Sequence, residues 1–318
     1  MWRKRLDTLL QDEIESLLSL VSDTPGLHNI VKEPVSKIRR DLVSKTAYER
    51  TWCFLPLIVC EAICGRFEQA LPASAGLALL KEAAEVFDDI EDADSTESLS
   101  SRYGPALAIN AGSALLILAE RAFTRLNSRG VDSHIVVRVI DVVNSYYTTA
   151  CAGQHLDLSL TPAEAVSEDV YLKVIAMKSA SAVACACYTG ALLANANQEL
   201  IDLFAMFGHN LGMASQIAND IKGVTQLTDI VKRKITLPAI YALAQTDGET
   251  HSLLDTVFCK RASEFAPAPA QIRELLFRTG AIQYATIKME LYKQQAIDTF
   301  VELERAGAKV EQLKQFLE

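Results

Sequence analysis

The chain predicts an all-α body. Half of its 318 residues are apolar, with Leu and Ala abundant, so a sizeable core can be buried. Glycine (14) and proline (9) are scarce, and strand-like alternation is hard to find. The breaks between apolar runs are short, none is a Ser/Gly tract, and no internal repeat is visible. Several apolar helices with short connections describe one compact helical domain over 1–318.

Helices are expected at about 1–21, 36–65, 73–94, 104–127, 132–160, 168–196, 198–224, 236–246, 250–263 and 279–306. Asp23-Thr24-Pro25-Gly26 ends the first and Leu71-Pro72 precedes the third. Tyr103-Gly104-Pro105 and Ser128-Arg129-Gly130 bracket the fourth, and Ala266-Pro267-Ala268-Pro269 precedes the last. Pro238 suits the first turn of its helix. Residues 179–196 carry no charge and approach a membrane span in length. They are rich in small and hydroxylated residues and poor in Leu and Ile, which predicts a tightly packed central helix and no transmembrane segment.

A formal charge of −9 argues against a nucleic-acid partner and against docking on anionic membranes. Seven cysteines, odd in number and without a CxxC pair, fit a reduced, cytoplasmic setting. Cys60 and Cys64 share a helix face but lack a second ligand pair, so they read as core. The N-terminal Met1-Trp2-Arg3-Lys4-Arg5 runs into Gln11, Asp12, Glu13 and Glu15, not into an apolar signal core.

The chemistry begins at Asp88-Asp89-Ile90-Glu91-Asp92, a DDxxD stretch in a run free of Gly and Pro from Ala83 onward. On a helix Asp88 and Asp92 stand one above the other with Asp89 beside them. Like charges at that spacing repel unless a cation occupies the cluster. Carboxylate oxygens without His or Cys suit Mg²⁺, which completes its octahedron with waters and substrate phosphates. The structural alternative is an acidic, solvated helix end, continued by Asp94 and Glu97.

A second constellation follows. Gln216, Asn219 and Asp220 share a helix face and offer oxygen ligands, and Asp229, Lys232, Arg233 and Lys234 come next in a loop-like stretch. Between the two acidic groups lie Gly153-Gln154-His155-Leu156-Asp157 and Lys178. Acids facing acids, with lysines between, can hold a metal-bound polyphosphate while cations neutralise a departing diphosphate.

In the order and spacing of these motifs, the chain resembles the isoprenyl diphosphate synthase (polyprenyl synthetase) family of the class I isoprenoid synthase superfamily. The order is similar over about 40–300: DDxxD at 88–92, Ala-Ile-Asn-Ala-Gly at 108–112, GQxxD at 153–157, Tyr171 and Lys178, Gln-x-x-Asn-Asp at 216–220, Lys-x-Thr-Leu-Pro at 234–238. The resemblance implies a single large helical bundle around a deep apolar cavity, commonly a homodimer, binding an allylic prenyl diphosphate with three Mg²⁺ ions. It implies Asp88, Asp89, Asp92, Asn219 and Asp220 as metal ligands. Lys178, Lys234 and Arg233 become diphosphate contacts; Gln154, Asp157, Gln216 and Asp229 become active-site polar groups. Ala83, Ala84, Phe87 and Tyr171 are expected to line the cavity. With Ala84 and Ala83 four and five positions before the first motif, the floor is expected to admit a fifteen- or twenty-carbon chain. Phe87, Tyr146, Tyr147, Tyr171 and Phe207 are either cation-stabilising rings or ordinary core.

The chain departs from the elongating members where those bind isopentenyl diphosphate. The Gly-Gly-Lys-x-x-Arg-Pro segment is missing, the nearest stretch being Glu49-Arg50-Thr51-Trp52-Cys53-Phe54-Leu55-Pro56. Lys81 stands where a histidine is expected, and Glu97 and Ser98 stand near the place of an Arg-Arg pair, with Arg102 the nearest arginine. Charge-assisted contacts contribute roughly 1.5–3 kcal/mol each, so losing several weakens a second diphosphate severely. Asn219-Asp220 opens like the cyclase NSE motif, but its later positions are Gly223 and Leu227. The reading this favours is a terpene synthase: ionisation of one allylic diphosphate, then cyclisation and proton loss or water capture. The alternative is a prenyltransferase acting on a peptide or other acceptor, similar to the enzymes that prenylate a tryptophan in bacterial pheromone peptides; elongation with isopentenyl diphosphate ranks third. A non-enzymatic regulatory subunit is opposed by the intact Asp88, Asp89 and Asp92.

Overall fold

The structure, a computed structural model, describes residues 2–41, 52–92, 97–160, 166–259 and 268–317, and shows no strand among them. Sixteen α-helices are described. They are α1 (Trp2–Leu18), α2 (Pro25–Asp41), α3 (Leu55–Cys64), α4 (Leu71–Asp92), α5 (Leu99–Tyr103), α6 (Pro105–Thr124), α7 (Ser133–Ser159) and α8 (Glu168–Ile175). There follow α9 (Ser181–Leu193), α10 (Gln198–Thr225), α11 (Thr228–Val231), α12 (Leu237–Gln245), α13 (Gly248–Phe258), α14 (Pro269–Arg278), α15 (Ala281–Arg305) and α16 (Glu311–Lys314). Asp94, the Glu49–Thr51 part of the stretch before the first motif, and Ala266-Pro267 lie outside the described residues.

Local chemistry explains most of the boundaries. Proline stands at the first turn of α3, α6, α12 and α14, where its missing N–H costs nothing. Ser98, Ser167 and Asn197 accept a backbone N–H at the starts of α5, α8 and α10. Two differences from expectation share an origin in proline. Pro25 begins α2 instead of breaking the chain, so the helix expected from 36 already starts at 25, with Pro34 inside it. The same preference at Pro269 starts α14. A third difference is of another kind: the expected 168–196 helix is interrupted by a π-turn, Ala176–Ala180, which carries Lys178.

The helices of the site are brought together by close approaches at small residues. On α4, a Cβ at Gly76 would stand 2.8 Å from the Phe123 ring of α6; on α6, a Cβ at Gly112 would stand 2.8 Å from the Phe87 ring of α4. Each helix thus offers the other a glycine to receive a phenylalanine. Central α9 is buried along nearly its whole length. Its Gly190 touches the Pro56 backbone of α3, and Gly208 of α10 lies on Val183 and Ala184. Small residues there serve helix packing. Two stretches, Pro105–Arg129 and Glu168–Leu193, are long and apolar enough to cross a membrane by length and composition. The second carries Glu168, Asp169, Lys173 and Lys178 and packs between α7 and α10. One large core joins α1–α4, α6, α7, α9, the front of α10 and the C-terminal segment. A second, around Val224, Ile230, Leu254, Phe258, Ile272 and Leu276, holds α11–α14 on the end of α10.

Candidate active site

The first acidic motif occupies the last turns of α4, the GQxxD stretch the last turns of α7, and Lys178 the π-turn before α9. Gln154 Nε2 donates to Asp88 Oδ1 at 2.9 Å and to Glu91 Oε2 at 2.7 Å. Lys178 Nζ stands 3.0 Å from Asp88 Oδ1 and 2.8 Å from Asp157 Oδ2. Burial works against the Lys178 charge, but Asp157 and Asp88 outweigh it and hold the ammonium above the ordinary lysine value. Gly153 makes this geometry possible. A Cβ there would meet Lys178 N at 2.5 Å, so only glycine lets α7 lie against the π-turn.

The opposite wall is α10 and the loop after it. Asp220 Oδ1 accepts from Gln216 Nε2 at 2.9 Å, Asp220 Oδ2 accepts from Tyr171 OH at 2.5 Å, and Gln216 Oε1 accepts from Ser179 Oγ at 2.9 Å. A hydrogen-bonded string therefore runs from the π-turn to the second acid. Burial pushes the Asp220 carboxyl up to about 6; the hydrogen bonds from Tyr171 and Gln216 pull the other way, Asp229 adds to the rise and Lys234 opposes it. Asn219 is exposed beside it. Asp229 reaches the same wall by an unexpected route. A Cβ at Gly223 would lie 2.0 Å from Asp229 Oδ2, so the carboxylate fills the space a side chain at 223 would use.

Lys234 links the two walls: its Nζ stands 3.0 Å from Asp92 Oδ2. The turn that aims it has Arg233 in the left-handed region, φ 57, and Lys234 N donates to Asp229 O at 2.9 Å. A non-glycine residue held there costs about 1–2 kcal/mol, and such strain collects at functional sites.

Three residues expected as lining stand elsewhere. Ala83 is fully buried, and the Phe87 ring points to Gly112 on α6. Tyr171 is buried beside Ile175, Met213 and Leu237, with its hydroxyl on Asp220. Periodicity explains the first two: positions 83 and 87 are turned well away from the Asp88 face, whereas 84 lies on it. Ala84 is exposed although it stands one turn below Asp88, so open space lies beneath the acid cluster. Asp89 is half-buried on the adjoining face and His155 is exposed. Sequence reasoning passed over Glu91 and Ser179; each adjoins a motif residue, but only contact with Gln154 and Gln216 reveals its part. A separate hollow of about 440 Å³, lined by Tyr146, Met206 and His209, lies among α7, α9 and α10 and carries no carboxylate.

Residues 50–275 match the family model for polyprenyl synthetase. The chain belongs to the polyprenyl synthetase family. Among its relatives is a geranylgeranyl diphosphate synthase of Mycobacterium tuberculosis, 32% identical over 225 residues, covering 66% of this chain and 63% of that protein's length. Another is the tryptophan prenyltransferase ComQ of Bacillus spizizenii, 26% identical over 235 residues, covering 72% of this chain and 79% of its own. A solved geranylgeranyl pyrophosphate synthetase from Pyrococcus horikoshii shares the fold, with TM-score 0.84 and 23% identity over 99% of this chain and 97% of that one. The polyprenyl synthetase fold thus matches the all-α expectation.

Oxygen-only donors at the acid clusters, without His or Cys, fit Mg²⁺. Among the described residues, no three acidic, His or Cys side chains already converge on one point. That suits a cation that keeps several waters and takes further oxygens from a phosphate. Asp88, Asp89 and Asp92 would hold it on one wall, and Asn219, Asp220 and Asp229 on the other.

Proposed function

We propose that this chain is a Mg²⁺-dependent prenyltransferase that releases diphosphate from an allylic prenyl diphosphate and passes the prenyl group to a nucleophile bearing no diphosphate. The observation that carries the reading is the cluster in which α4, α7, the π-turn and Lys234 close around Asp88 and Asp92. Bound Mg²⁺ would neutralise the diphosphate and polarise it as a leaving group. The C1–O bond breaks heterolytically and the diphosphate keeps the electron pair. Lys178 and Lys234, paired with carboxylates here, stand within reach of that charge, and Arg233 adds a third cation. The allylic cation lies over the space beneath Asp88, forms a bond to the acceptor, and the acceptor sheds a proton.

One relative is by name a tryptophan prenyltransferase, the other a geranylgeranyl diphosphate synthase, and neither name is a cyclase's, so the cyclisation reading loses its footing and the acceptor reading takes its place. The kind of acceptor follows from Lys81. It lies close to Glu82 Oε1 at 3.2 Å and bonds Glu85 as well. Burial opposes its charge, but Glu82 and Glu85 keep it protonated. Lys81 is thus held by two carboxylates of its own helix at the position where the elongating enzymes present a phosphate-binding histidine, which favours a neutral acceptor such as an indole. The geranylgeranyl diphosphate synthase relative favours elongation as the second reading. Incubation with ten-, fifteen- and twenty-carbon allylic diphosphates, Mg²⁺, and either a tryptophan peptide, isopentenyl diphosphate or neither separates the readings. Peptide-dependent diphosphate release supports the proposal; isopentenyl-dependent growth replaces it. Release with hydrocarbon and no acceptor restores the cyclase.

A homodimer is part of the proposal. Ile109, Leu116 and Ile117 on α6 and Val137 on α7 are exposed apolar residues, and an isologous contact there would cover them. Light scattering on the purified chain tests it, with monomer at micromolar concentration the adverse result.

A further inference from the structure

We propose that Glu168, gripped by Tyr284 and Lys288 of α15, is a positioning residue that sets Tyr171 against Asp220 and so shapes the second metal wall. The inference rests on the reading that Asp220 helps to hold a Mg²⁺-bound diphosphate. Glu168 is the first residue of α8 and Tyr171 follows three residues later, so the two lie on one side of that helix.

Both oxygens of Glu168 are taken by α15. Oε2 accepts from Tyr284 OH at 2.6 Å, and Oε1 lies 2.7 Å from Lys288 Nζ. Lys288 Nζ also stands 5.5 Å from the centre of the Tyr284 ring. That ring stacks on Tyr241 of α12, with centroids 4.2 Å apart and planes 20° from parallel. Four side chains thus fasten α8, α12 and α15 together at one point. Burial works against the Glu168 charge, but Lys288 and Tyr284 outweigh it and hold the carboxyl below the ordinary glutamate value. In the first turn of α8 the carboxylate also meets the positive end of the helix dipole.

The grip matters because α8 cannot hold its own place. It has eight residues, too few for a stable free helix, and buries only Tyr171, Val174 and Ile175. It runs directly into the π-turn that carries Lys178. Its register is therefore set from its two ends, by α15 at Glu168 and by the turn at Ala176. Between them Tyr171 OH meets Asp220 Oδ2, the first link of the string that continues through Gln216 to Ser179 in the same turn. A slide of α8 by about an ångström breaks that link, and a misplacement of this size can cost about 100-fold where groups must be held in reacting geometry. Glu168 touches neither acid wall in the structure; its effect on Asp220 passes through Tyr171.

The test is a double-mutant cycle on binding of inorganic diphosphate with Mg²⁺, read by calorimetry well below the melting midpoint of each protein. Glu168→Ala should weaken binding by about tenfold or more. Tyr171→Phe should weaken it on its own, and adding Glu168→Ala to Tyr171→Phe should then cost less than about twofold. A role in stability alone would lower the midpoint in both backgrounds and leave binding by the folded protein unchanged. Tyr284→Phe and Lys288→Met, milder changes should the alanine variant fold poorly, should each weaken binding in the wild-type background and not in Tyr171→Phe. Wild-type affinity in Glu168→Ala and Lys288→Met, or losses that multiply in the double variant, would overturn the assignment. No binding by the wild type would remove the diphosphate reading itself, and the assignment with it, before any variant is compared.

Discussion

Replacing Asp220 with asparagine should make the metal-free protein more stable and the enzyme inactive. The carboxyl is almost wholly buried, with its ionisation pushed from 3.8 to about 6, first by desolvation and then by Asp229. The folded state therefore keeps a proton that the unfolded chain loses as pH rises from 3.8 to about 6. Where the folded state binds more protons, stability falls as pH rises. The favourable contribution is complete below 3.8 and gone above about 6. A shift of about 2 units at about 1.36 kcal/mol each sets an upper limit of about 3 kcal/mol. Asparagine carries no charge to bury. Its oxygen can accept from Tyr171 and its amide can donate to Gln216 if that side chain turns over, with Ser179 Oγ then accepting. At about 2.1 cal/mol/K per residue, about 3 kcal/mol in a chain of this size moves the midpoint by about 4 °C. The assay is thermal unfolding of both proteins in chelator, at intervals from about pH 4.5 to about pH 8. The midpoints should draw together toward about pH 4.5 and separate in favour of asparagine by about pH 7. Adding Mg²⁺ and inorganic diphosphate should raise the wild type alone. A gap independent of pH, or an asparagine variant that melts lower than wild type at neutral pH, would refute the reasoning.

Three other substitutions probe the remaining contacts. Gly153→Ala drives a methyl into Lys178 N and the Met177 backbone, which cannot move cheaply. Overpacking of this kind costs about 1–3 kcal/mol; the midpoint should fall and diphosphate release with it, and near-wild-type values for both would contradict the close approach. Gly223→Ala displaces only the end of the Asp229 side chain, so folding should change by about 0.5 kcal/mol or less. Mg²⁺ affinity in the presence of diphosphate should fall about tenfold, read by calorimetry, and an unchanged affinity would take Asp229 out of the second metal site. Tyr171→Phe removes a hydrogen bond that holds the Asp220 carboxyl down, so protons should compete with Mg²⁺ at higher pH than in wild type. A binding profile with an unmoved acidic limb would count against that role.

Much of the machinery was legible along the chain because helical periodicity is local. The spacing of Asp88 and Asp92 places both on one face wherever α4 lies, and Gln216 and Asp220 stack on α10 by the same rule. Composition revealed the all-α class for a related reason, since scarce breakers and abundant Leu and Ala act within each segment. The same locality misread Pro25 and Pro269, where a residue that ends one helix also opens the next.

Tertiary structure decided whatever depends on the distance between helices. Gly153 and Gly223 carry no chemistry of their own, and only the positions of Lys178 and Asp229 show what their missing side chains make room for. Lys234 bridges to Asp92 across 142 positions, which no local pattern reveals. Sequence determines which side chains share a face. Which faces meet, and how closely, is settled by packing over the whole bundle, where a single added methyl group is enough to push neighbouring helices off each other.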